Sequence, residues 1–126
     1  MRLLLDTHVL LWVTQGRLQP QVREQIQDPE NDVVVSAASI WEVEIKRALR
    51  RLQAPEGLAS RVEQEGYRPL EITFQHAVEA GRLPRHHDDP FDRMLIAQAR
   101  VEGLLLATAD AAIRQYEVPV LDVTPS

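Results

Sequence analysis

The chain has 126 residues, 44% hydrophobic and 26% charged, with a net charge of −5, a composition that fits one compact globular domain over residues 1–126 and excludes a disordered chain. A pI near 5.3 argues against a protein that holds nucleic acid by bulk positive charge, although bound cations reverse the local sign in a nucleic-acid enzyme. With no cysteine, neither a disulfide framework nor a thiolate zinc site is possible.

The N-terminal stretch MRLLLDTHVLLWV is apolar but broken by Asp6 and His8, and it lacks a small-residue cleavage site. It reads as a strand and a helix rather than a signal peptide. Nothing approaches the ~18 apolar residues of a membrane span, so a soluble cytoplasmic protein is expected. Short apolar runs without alternation follow at Leu3–Leu5, Val33–Val35, Leu70–Ile72, Leu104–Leu106 and Val118–Leu121. Such runs suit strands covered on both faces. Helical patterns lie between them, around residues 8–13, 20–27, 37–52, 55–65, 74–82 and 90–102. The alternation predicts an α/β fold, a three-layer α/β/α sandwich around a mostly parallel sheet. On the third helix, Trp41, Ile45, Ala48, Leu49 and Leu52 recur at helical spacing and are expected to form its core stripe.

Three apolar runs lead straight into polar residues: Asp6-Thr7, Ser36, and Thr108 with Asp110. Ligands of open parallel sheets bind at the carboxyl ends of strands, so these residues are site candidates. The ordinary alternative is that each caps the next helix. Glu42 fits a capping box with Ser39, but Ser36 is the better helix start, which leaves Glu42 in the second turn without a capping task. Glu44 is expected on the solvated surface. In HHDDPFDR, Asp89 is the expected N-cap and Pro90 the first helical residue. Asp92 shares a face with Leu95, Ile96 and Ala99, and a carboxylate on that stripe is costly unless paired or bound to a cation. Carboxylates converging on one crevice would raise one another's pKa, and an oxygen-only set suits hard divalent cations. Among the histidines, His8 lies near Asp6, His86 and His87 read as loop residues, and His76 reads as surface. There is no H-E-x-x-H, P-loop, G-x-G-x-x-G or G-x-S-x-G.

LLLDTHVLLW, SAASIWEVEIK, LPRHHDDPFDRMLIAQA and LLLATADAAIRQY together resemble the motifs of PIN-domain proteins, specifically VapC-type toxin ribonucleases. The motifs keep their order from residue 3 to residue 116, and the HxDPFDR-like block is the most specific. The resemblance implies a five-stranded parallel sheet and an acidic pocket that binds one or two Mg²⁺ or Mn²⁺ ions. It places the metal-binding, catalytic acids on Asp6, Glu42, Asp92 and Asp110, with Thr108 and Asp89 in support. It further implies hydrolysis of RNA phosphodiester bonds by a metal-activated water, a VapB-like antitoxin partner and a homodimer. Arg93, Lys46 and Arg85 are the candidates for RNA contact, with Arg47, Arg50 and Arg51 behind them. Trp12, Leu49 and Leu52 are candidates for a partner groove, although core packing is the expected role of each.

A phospho-acceptor signalling module also gathers acids at a sheet edge. It needs an acid pair after the first strand and a lysine after the last, whereas here Asp6 stands alone and Lys46, the only lysine, lies early. A catalytically silent scaffold on the same fold and a metal phosphatase remain as competing readings, separable only by activity.

Overall fold

The computed structural model describes residues 1–123. Five strands, β1 (Arg2–Leu5), β2 (Asp32–Ser36), β3 (Arg68–Leu70), β4 (Leu105–Thr108) and β5 (Val120–Asp122), pair in parallel in the order β3-β2-β1-β4-β5. Six helices connect and cover them: α1 (Thr7–Gln15), α2 (Pro20–Gln27), α3 (Ala37–Ala48), α4 (Leu58–Gln64), α5 (Phe74–Arg82) and α6 (Pro90–Glu102). A single 3₁₀ turn at Ile113–Gln115 precedes β5.

The three layers follow from the two-residue period of the strands. Leu3, Leu5, Val33, Val35 and Ala107 face one side, where they pack with Val9 and Leu10 of α1, Val22 and Ile26 of α2, Val43 of α3 and Val62 of α4. Leu4, Val34 and Leu106 face the other side, against Leu95, Ile96 and Ala99 of α6 and Leu83 at the end of α5. Both faces are covered, so the strands read as unbroken apolar runs in the sequence. After β1 the chain crosses to β2 on one side, and β4 returns to the opposite side of β1. The sheet's switch point therefore lies between the carboxyl ends of β1 and β4, where open α/β sheets leave a crevice.

Four expectations change. The apolar run Leu70–Ile72 is not itself the strand: β3 is Arg68–Leu70, and Ile72 lies beyond it, 39% exposed. Pro69 is tolerated there because β3 is an edge strand. The expected 37–52 helix stops at Ala48, where the chain turns through Arg50 at φ 55°. Trp41 and Leu49 do not form the core stripe of α3; they are 60% and 55% exposed, and Ala48 is exposed as well. The inward face is instead Ala38, Ser39, Glu42 and Val43. These smaller residues let α3 approach α1 and α6, and the larger apolar residues are rotated outward. Finally, His76 is not on the surface but 1% exposed. Its ring Nδ1 accepts the Thr73 backbone N–H at 3.1 Å, completing a reciprocal cap at the start of α5. No helix among the described residues is long and apolar enough to cross a membrane.

Candidate metal centre

The residue after β1 is Asp6, extended at φ −73°, ψ 170°, which ends the strand and caps α1. Its Oδ1 accepts the Val9 backbone N–H at 2.8 Å, and its Oδ2 accepts the hydroxyl of Thr108, the last residue of β4. Thr108 Oγ1 in turn accepts the backbone N–H of Asp110 at 3.0 Å, and Asp110 Oδ1 accepts that of Ala112 at 2.9 Å. The two strands that flank the switch point are thus tied through one threonine, and each presents an acid. Asp6 is 3% exposed, and this burial pushes its carboxyl pKa up despite the bonds from Thr108 and Val9. The Asp110 charge pushes in the same direction.

Helix α6 delivers the next acid. Asp89 Oδ1 accepts the N–H groups of Phe91 at 2.8 Å and Asp92 at 3.2 Å, with Pro90 at the first helical position. This is the expected cap, and it leaves the Asp92 carboxylate free for other work. Burial raises the Asp92 pKa to about 6; the bond from His87 opposes the rise, and Asp89, Asp6 and Glu42 add to it. Those charges act on one another because they share the crevice.

Ser36 caps α3 through its hydroxyl, which accepts the Ala38 N–H at 3.0 Å, so Glu42 does fall in the second turn. Glu42 is 3% exposed. Its Oε2 meets Lys46 Nζ at 2.5 Å, while Oε1 is buried with no hydrogen-bond partner among the described residues. Lys46 is held protonated by that contact and, more weakly, by the charges of Asp89 and Asp92. An orphaned carboxylate oxygen inside a protein calls for a cation or water.

One group that the sequence reads as a loop residue enters the site. His87 Nε2 lies 2.8 Å from Asp92 Oδ2 and 3.8 Å from Asp110 Oδ2. Its pKa is raised, chiefly by the Asp92 hydrogen bond. The signal available was the HxDPFDR spacing, which sets a histidine five residues before Asp92. Thr7, beside Asp6, is buried and donates to Ser39 Oγ at 3.1 Å, tying α1 to α3 beneath the site.

One basic candidate does not behave as expected. The Arg93 guanidinium does not face the acids or solvent-borne phosphate. Its Nη1 bonds the Pro84 carbonyl at 3.0 Å and the His87 carbonyl at 3.3 Å, and its Nη2 bonds those of Ala80 and Leu83 at 2.9 Å. Arg93 is a clamp on the α5–α6 connection. Arg85 is 83% exposed in its side chain and lies 3.9 Å from Asp88. Arg47 is paired with Glu44 and Glu56.

The donors fit a divalent ion. One ligand atom each from His87, Asp92 and Asp110 lies within 4.8 Å of the others, and the charges of Asp6 and Glu42 act on Asp92. A PIN domain profile matches residues 3–119 of the sequence. The chain belongs to the PIN domain family. No curated protein sequence matches it, but solved structures do. VapBC2 from Rickettsia felis, bound to a promoter DNA fragment, aligns with TM-score 0.72 at 12% identity, covering 98% of this chain and all of that one. DNA-bound VapBC from Salmonella typhimurium aligns with TM-score 0.70 at 18% identity, covering 97% and 98%. FitAcB from Neisseria gonorrhoeae aligns with TM-score 0.65 at 22% identity, covering 95% and 96%. These likenesses extend the PIN fold over nearly the whole chain.

Proposed function

We propose that this PIN domain is a metal-dependent endoribonuclease, the toxin half of a VapBC-type toxin–antitoxin pair acting in the cytoplasm. The observation that carries the reading is the buried, unpartnered Glu42 Oε1, on a carboxylate whose charge reaches Asp92. A stable protein keeps such a carboxylate oxygen when a cation or water meets it. Asp6, Glu42, Asp92 and Asp110 would hold one or two Mg²⁺ or Mn²⁺ ions. Such an ion, when bound, lowers the pKa of water toward neutrality and stabilises charge on a phosphate.

The chain's own residues do the positioning. Thr108 and the Val9 N–H fix both Asp6 oxygens, and the Asp89 cap fixes the start of α6 and hence Asp92. Lys46 is the basic candidate that both touches the acids and keeps its side chain 39% exposed. It is therefore the best-placed residue to meet an RNA phosphate, with exposed Arg85 farther out. Arg93 leaves that list. Relatives of this fold were solved as toxin–antitoxin assemblies, including one from Klebsiella pneumoniae. A VapB-like partner and a second copy of the chain are accordingly the expected associates.

Incubation of total cellular RNA with purified protein tests the reading, using Mg²⁺ or Mn²⁺, then EDTA, then an Asp92→Asn variant. Discrete fragments that vanish with chelator and with the variant are expected. Fragments unchanged in the variant, or no cleavage by folded, antitoxin-free protein, would move the domain to the silent-scaffold class.

A further inference from the structure

We propose that His87 is a nitrogen ligand of the bound cation, so that the centre selects a first-row transition ion over Mg²⁺. The inference rests on the metal-centre reading above and adds to it a residue outside the acidic set.

Three observations carry it. His87 Nε2 is 2.8 Å from Asp92 Oδ2 and 3.8 Å from Asp110 Oδ2, and the three ligand atoms lie within 4.8 Å of one another. Two ligands about 2.1 Å from one octahedral ion stand about 3 Å apart. His87 and Asp92 already have that separation, and Asp110, 40% exposed in its side chain, stands 3.8 Å from the same nitrogen.

The His87 backbone is also held in place independently of the acids. The His87 N–H donates to the Tyr116 hydroxyl at 2.9 Å, and its carbonyl accepts from Arg93 at 3.3 Å. Tyr116 is buried and its hydroxyl donates to the Pro84 carbonyl at 2.8 Å. The loop is thus anchored on both sides of the imidazole.

The third observation is Glu42, 3% exposed, with Oε1 unpartnered and a charge that reaches Asp92. A His87–Asp92 ion pair accounts for two of the groups but leaves this oxygen without a partner. A cation held by His87, Asp92 and Asp110 would also bring positive charge within range of Glu42.

The chemical consequence is selectivity. Mg²⁺ is hard and is held through oxygen, whereas affinity for an imidazole rises along the series from Mn²⁺ through Co²⁺. An oxygen-only pocket has no such reason to prefer the transition ion. Imidazole ligation requires the neutral ring, so the proton that Nε2 shares with Asp92 leaves as the ion enters.

The test uses the full chain purified without its partner. Pulsed EPR of bound Mn²⁺ is expected to show a nitrogen hyperfine coupling that disappears in His87→Gln. Calorimetric titration is expected to give His87→Gln a loss of Co²⁺ affinity of about tenfold or more, with Mg²⁺ affinity changed by under about threefold. Binding without nitrogen coupling in the wild type, or equal losses for both ions, overturns the ligand assignment and leaves the nuclease reading intact. No binding of any ion by folded wild type overturns both. Because the wild-type spectrum decides alone, the test survives a variant that folds poorly.

Discussion

Asp92 is half-buried among other acids, and its pKa near 6 sets a sign for stability. Its unfolded value is 3.8 and its folded value is about 6, so the folded protein without metal holds this proton more tightly than the unfolded chain does. The associated stability is present below pH ~4 and is lost as pH rises through ~6. His87 softens the loss while its imidazole stays charged, and stops doing so as pH rises through its own raised pKa. Asp92→Asn, which keeps the shape and removes the charge, should therefore stabilise the metal-free protein by about 1–3 kcal/mol above pH 7. The advantage should shrink to near zero at pH ~4. Urea titrations at several pH values measure it, and a variant less stable than wild type at pH 8 would contradict the assigned burial. Asp6 and Asp110 stood out as candidates in the sequence because each follows an apolar run, and Asp92 because it opens a helix, whereas Glu42 lies in the second turn of α3. His87 did not stand out, because it reaches the site through a loop whose path depends on carbonyls and a phenol elsewhere.

Among the elements, α6 was legible and α3 was only half so. DPFDR contains a cap residue, a first-turn proline and a stripe beginning at Leu95, all local signals that the structure follows. On α3 the apolar spacing of Trp41, Ile45 and Ala48 was real but pointed outward, because close approach to α1 and α6 favours Ala38 and Ser39. Burying Glu42 is unfavourable for the helix alone, so packing logic could not have found that face. Arg93 was misread for a related reason: its acceptors are backbone carbonyls at 80, 83, 84 and 87, which no residue pattern advertises. The clamp leads to a stability prediction. Arg93→Ala should cost about 2–3 kcal/mol, since charged hydrogen bonds to several half-buried carbonyls are lost together. Arg93→Lys should recover only part, because an ammonium cannot span the fork. Chemical denaturation reads both. An Arg93→Ala protein of wild-type stability with weakened RNA binding would restore the phosphate-contact role.

For the whole molecule, the class was legible while the strand order was not. Unbroken apolar runs predict buried parallel strands, yet nothing in a run says that β1 lies at the centre between β2 and β4. That order gives the acids a common crevice by bringing the ends of β1 and β4 together. Structures with only 12–22% identity share the fold, so many apolar choices serve the three layers equally well. The acids are different in kind, since a net charge of −5 with several carboxylates facing one crevice works against folding. A bound cation reverses that term. A ligand present at about 100 times its Kd adds about 2.7 kcal/mol to the folded state, which corresponds to a Tm increase on the order of 10 °C for a chain of this size. Saturating Mn²⁺ should raise the Tm of the chelator-treated protein by that order, and Asp6→Asn should lose most of the increase, because Asp6 joins β1 to β4 at the crevice. Equal increases in wild type and Asp6→Asn would mean that the ion binds elsewhere on the acidic surface.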